Sequence, residues 1–122
     1  MIQIRFDPQV PLVEVKGHAG TGPKGEDLVC AAVTALVLTL KANAEATGGR
    51  GEVGPGFARI RGGQNAQGDF RAVCRGFEIL SRAFPQAVRY QVRTGDREIP
   101  GDLICYHYHQ EKGAFLWKKQ KK

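Results

Sequence analysis

Three residues of this chain have the types and the spacing to do chemistry together: His18, Asp27 and Cys30. A thiol becomes a strong nucleophile when it ionises, and an imidazole beside it takes the proton and later returns it to a leaving group. A carboxylate can orient the imidazole or cap the helix that carries the thiol. Asp27 reads as an N-cap, which puts Cys30 at the third helical position, where the helix N-terminus favours a thiolate. The first-turn N–H groups would stabilise an oxyanion if the Asp27 cap did not consume them. Each residue also has a plainer reading. A cysteine in an apolar helix is usually a small core residue, a histidine after a strand is usually a loop residue, and Asp27 caps as readily as it catalyses. Spacing leaves these alternatives open.

The flanking elements must position the pair. Ile2, Ile4 and Phe6 alternate with Gln3 and Arg5, and Val13 and Val15 alternate with Glu14 and Lys16, which reads as two half-buried strands in a hairpin. Gly17 ends the second strand, and Gly20, Gly22 and Gly25 around Pro23 form a loop between His18 and Asp27. A helix over residues 28–46 follows. Its first half is apolar nearly all round, which calls for cover on more than one side, by a sheet and by a partner subunit. Thr47-Gly48-Gly49 stops it. Short strands at 50–53 and 57–61 flank Gly54-Pro55-Gly56. A polar loop over 62–68 leads to Asp69 as the cap of a second helix, in which Phe70, Val73, Cys74, Phe77, Leu80 and Phe84 fall on one face before Pro85. Val88, Tyr90 and Val92 mark a further strand, Thr94-Gly95-Asp96 a turn, residues 103–108 a last strand, and residues 115–122 an aromatic and then basic tail.

The order β-β-α-β-β-α-β implies an α/β fold of the α+β type, in two layers, with two helices on one face of a largely antiparallel sheet. At 122 residues this is one domain. The formal net charge of +6 suits an anionic neighbour, most plainly RNA, or simply good solubility. Three cysteines, Cys30, Cys74 and Cys105, argue against a disulfide framework and for a reducing compartment. With no secretory leader and no apolar run long enough to span a bilayer, the expectation is a cytoplasmic protein without a membrane anchor. Cys105, His107 and His109 alternate on one strand face but lack a fourth ligand, so no metal is assigned. Arg59, Arg61, Arg71 and Arg75 are candidates for a basic patch, with a solvated face as the default reading. The absence of a Cys-x-x-Cys pair argues against a redox protein.

Gly17-His18-Ala19, followed by Asp27-Leu28-Val29-Cys30-Ala31-Ala32-Val33-Thr34-Ala35-Leu36, resembles the ribosomal-processing cysteine protease family (Prp). Leu28 stands where the family usually has Ile, and Thr34 where it has Ser. The resemblance covers residues 1–93 and leaves 94–122 as a C-terminal extension. It implies a homodimer without cofactor, with Cys30 as nucleophile, His18 as general base, Asp27 assisting, and Gly20, Gly22 and Gly25 in a flap over the substrate. It further implies removal of the N-terminal extension of a bacterial large-subunit ribosomal protein, by cleavage after an aromatic residue, so an apolar pocket is expected beside Cys30. The positive charge departs from this picture, since a ribosomal protein is itself basic. A ribosome- or RNA-binding protein without activity is the alternative.

Overall fold

A computed structural model describes residues 1–18, 27–94 and 97–100, the last four and Thr94 by backbone alone. Six strands and two helices run in the order β1 (Ile2–Asp7), β2 (Leu12–Lys16), α1 (Leu28–Ala46), β3 (Arg50–Gly54), β4 (Phe57–Arg61), α2 (Gln67–Ala83), β5 (Val88–Thr94) and β6 (Arg97–Pro100). They form one sheet in the order β3-β4-β2-β1-β5-β6. Every pairing is antiparallel except β1 with β5. The two-layer architecture expected from the sequence is the one observed. β6 is an addition to it, lying past residue 93 and pairing with β5. The flap glycines Gly20, Gly22 and Gly25, the Thr94-Gly95-Asp96 turn beyond Thr94, the strand at 103–108 and the Cys105-His107-His109 group lie outside the described residues.

Alternation along the strands sorts side chains between the two faces of the sheet. Ile2, Ile4, Phe6, Val13, Val15, Ala58, Ile60, Val88, Tyr90 and Val92 are buried on one face. There they join Val29, Val33, Val37, Leu40 and Ala44 of α1, and Phe70, Cys74 and Phe77 of α2, in a single core. Among the described residues no element covers the other face, which carries Arg5, Lys16, Arg59 and Arg89.

The helix ends follow local rules, with two surprises. α1 stops at Thr47, where Gly49 N–H reaches the Ala44 carbonyl (2.7 Å) and Gly48 N–H reaches that of Glu45 (3.4 Å), a Schellman arrangement. α2 begins earlier than its apolar face implies. Ala66, fully buried, takes the N-cap position without a side-chain hydrogen bond. Asp69 therefore sits inside the first turn rather than capping it, where a carboxylate still complements the helix dipole, and it accepts a 2.7 Å hydrogen bond from Asn43 Nδ2 of α1. Glu78, which is not among the residues of the apolar face, is nevertheless 2% exposed and pairs with Arg82 one turn on. Arg71 and Arg75 lie on α2 and so belong to the helix layer, whereas Arg59 and Arg61 belong to the open face of the sheet.

Candidate active site

The thiol is placed by the start of α1. One oxygen of Asp27, Oδ1, accepts from Val29 N–H (3.0 Å) and from Cys30 N–H (3.1 Å), and the Asp27 carbonyl accepts from Ala31 N–H (3.0 Å). These bonds fix Cys30 as the third residue of the helix, half-buried at the positive end of the dipole. They also occupy two first-turn donors, so Val29 and Cys30 N–H do not serve as an oxyanion hole in this conformation. Thr34 Oγ1 donates back to the Cys30 carbonyl (2.8 Å), one turn on.

Asp27 is thus a working N-cap. Asp27→Asn is expected to keep the thermal midpoint and most of the cleavage activity, because asparagine caps as well as aspartate. Asp27→Ala should lower stability by about 1 kcal/mol. A more than tenfold loss of cleavage in the Asn variant at unchanged stability would instead assign the carboxylate's charge to the chemistry.

The imidazole is placed by the sheet. β2 runs antiparallel to β4, and the ladder extends one step past the strands through a 2.9 Å bond from Gly17 N–H to the Gly56 carbonyl. His18 then emerges, exposed, at the end of β2. Its ring lies over the turn between β3 and β4, against Gly56.

His18 and Cys30 line the same cleft, of about 290 Å³. One wall is the start of α1, with Val33, Thr34 and Val37. The other is the β3–β4 hairpin, with Val53, Pro55, Gly56 and Phe57. Apart from Thr34 and backbone groups, these walls are apolar. That matches the expected apolar pocket beside Cys30. The sequence left its walls unnamed, because they come from a hairpin more than twenty residues along the chain. The Pro-Gly turn was visible as a turn, but its place against His18 depends on the β2–β4 register.

The second described thiol is not part of this cleft. Cys74 is 1% exposed between α2 and the sheet. Burial pushes its thiol up to about 12, against smaller lowering contributions from a Tyr90 hydrogen bond and the Arg71 charge. It therefore stays protonated and inert at neutral pH.

The sequence profile of the cysteine protease Prp family matches residues 1–89. The chain belongs to that family and is a cysteine protease. Solved structures agree on the fold. A Prp ribosomal processing protease from S. aureus in complex with a covalently linked product peptide is similar at a TM-score of 0.65 and 20% identity, over 76% of this chain and 100% of that one. SMU.848 from Streptococcus mutans is similar at a TM-score of 0.58 and 27% identity, over 78% and 96%. The S. aureus protease with a substrate peptide gives 0.55 and 19%, over 75% and 97%. No curated protein matches the chain. The matched part of this Prp chain ends within β5, so β6 lies outside it.

Proposed function

We propose that this Prp protein removes the N-terminal extension of a large-subunit ribosomal protein, with Cys30 as nucleophile and His18 as general base. The observation that carries the reading is the placement of both side chains on one apolar-walled cleft, with the thiol at a helix N-terminus. The S. aureus relatives described as ribosomal processing proteases support the substrate class. His18 takes the Cys30 proton. The thiolate adds to the scissile carbonyl, and His18 returns the proton to the leaving amine, which departs as the mature N-terminus. Water, deprotonated by His18, then hydrolyses the thioester and frees Cys30 and the extension. The aromatic residue before the cut is placed in this cleft, with Val33 and Val37 on one side and Val53 on the other. No step needs a cofactor. The test is cleavage of the extended ribosomal protein, or of a peptide spanning its junction, by wild type against Cys30→Ala and His18→Ala. Equal cleavage by Cys30→Ala would sink the proposal.

The working form is proposed to be a cytoplasmic homodimer. By length and composition α1 could cross a membrane, with 19 residues and a mean hydropathy of 1.5, yet Val29, Val33, Val37, Leu40 and Ala44 pack into the core. Its other side presents Leu28, Ala31, Ala35, Leu38 and Ala42 in one apolar stripe that no described residue covers, with Leu28 81% and Leu38 51% exposed. A second copy would bury that stripe. Leu38→Glu is expected to convert a dimer into a monomer by light scattering. A monomeric wild type at micromolar concentration would remove the idea, and partition into vesicles would favour a membrane instead.

A second reading, contact with ribosomal RNA, is favoured by the open face of the sheet. Arg50 and Arg61 are directly opposite each other there, a like-charge pair that an anion would relieve, with Lys16 and Arg89 further along the same face. Binding to a ribosomal RNA fragment should weaken steeply with salt. Binding indifferent to salt, or none at low salt, would rule it out.

A further inference from the structure

We infer that Gly56 is a positioning residue for His18: the absence of a side chain at the β3–β4 turn creates the seat in which the imidazole lies. This rests on the reading of His18 as the base. A Cβ added at Gly56 would stand 2.6 Å from His18 Nε2 and 3.2 Å from both Cδ2 and Cε1. Distances of this kind are well inside van der Waals contact, and near-equal approach to the two ring carbons means that the Nε2 edge points at the vacant side-chain position. The imidazole thus occupies the volume that any other residue at 56 would fill.

The seat is held from two sides. Gly56 has φ +66°, in the left-handed region that a Pro-Gly hairpin turn requires at its second position. Its carbonyl accepts from Gly17 N–H at 2.9 Å, which ties the turn to the residue immediately before His18. Gly17 is itself constrained, with φ +98° and a would-be Cβ only 2.1 Å from the Met1 carbonyl oxygen. The chain therefore enters His18 along a fixed path and the ring ends on a fixed platform. The imidazole is exposed among the described residues, and the glycine platform lies directly against its Nε2 edge. A second glycine of the hairpin, Gly54, has nothing within 4 Å of its would-be Cβ, so the requirement is local to position 56.

A glycine at a turn is ordinarily explained by backbone conformation alone, so the experiment must separate the two roles. It compares wild type, Gly54→Ala, Gly56→Ala, His18→Ala and the double variant Gly56→Ala/His18→Ala. Three quantities are read: peptide cleavage, the pH profile of Cys30 alkylation by iodoacetamide, and the urea midpoint. The expected result for Gly56→Ala is a fall in kcat of about a hundredfold, the size that a misplacement near 1 Å produces, with KM little changed. Its alkylation profile should depart from that of wild type and coincide with that of His18→Ala. In the His18→Ala background, adding Gly56→Ala should leave the alkylation profile unmoved and lower the urea midpoint less than it does in wild type, because the clash partner is gone. Gly54→Ala should keep the wild-type profile.

If Gly56→Ala retains the wild-type profile, or if its effects add to those of His18→Ala, the positioning role is overturned. If Gly56→Ala fails to fold, recovery of a folded protein in the double variant supports the clash, and failure of both assigns Gly56 to the turn alone and overturns the proposal. A His18→Ala profile identical to wild type would mark a different failure, that of His18 as the partner of Cys30.

Discussion

Replacing Cys30 by alanine is expected to abolish peptide cleavage while leaving the fold intact. In enzymes that act through a covalent nucleophile and a paired base, losing the nucleophile costs as much as losing the whole constellation, on the order of a millionfold in kcat. A drop of at least about a thousandfold is therefore expected for Cys30→Ala, and a hundred- to ten-thousandfold drop for His18→Ala, in the range set by general base catalysis. The stability expectation is as definite. Cys30 is only half-buried, at the third position of α1, and its N–H is held by Asp27 whatever the side chain. Alanine is the better helix former, so Cys30→Ala should unfold at or slightly above the wild-type midpoint. Lost cleavage then reports chemistry rather than unfolding. Cleavage that survives in Cys30→Ala would place the reaction elsewhere.

Phe77→Ala should produce the largest loss of stability, about 3–5 kcal/mol. The Phe77 side chain is fully buried on the inner face of α2, and its ring centroid lies 6.2 Å from that of Tyr90 on β5, at an interplanar angle of 44°. Removing it leaves a cavity where α2 seats on the sheet and deletes a tilted aromatic contact. Domains of this size have a total stability of about 5–15 kcal/mol, so the variant should lie close to unfolding at room temperature. Ile79→Ala, on the exposed side of the same helix, should change stability by no more than about 0.5 kcal/mol. Urea denaturation measures both. A Phe77→Ala midpoint close to that of Ile79→Ala would mean that α2 is not docked through this face.

Much of this architecture was legible because local and global signals agree. The strands at the N-terminus show a clean period of two, α1 carries an aspartate cap and a glycine stop, and α2 shows an apolar face at helical spacing. The misreadings were those in which tertiary packing overrides a local preference. Asp69 looked like a cap because it precedes Phe70, but the core seats Ala66 and starts the helix three residues sooner. Glu78, a charged residue, is buried and pairs with the half-buried Arg82 one turn on, a placement that charge alone does not signal.

At the site, the residues proposed for the chemistry could be named from the sequence, and those that line the cleft around them could not. Type and spacing singled out His18, Asp27 and Cys30 but left a plainer reading of each open, and the resemblance of the flanking motifs to the Prp family is what favoured the catalytic one. Val53, Phe57 and the Gly56 platform reach the cleft only through the pairing of β4 with β2, which no local pattern encodes. The open choice at Asp27 is sharpened by geometry, since its Oδ1 is committed to two backbone N–H groups.

The central claim, that the reaction runs on the Cys30 thiolate, is tested most directly by stoichiometric alkylation at neutral pH. The protein is treated with increasing iodoacetamide, modification of each cysteine is mapped by mass spectrometry, and cleavage is measured on the same samples. The account predicts that residual cleavage falls in proportion to Cys30 modification, while Cys74, buried and held protonated, remains unmodified. Full modification of Cys30 with cleavage retained would contradict it.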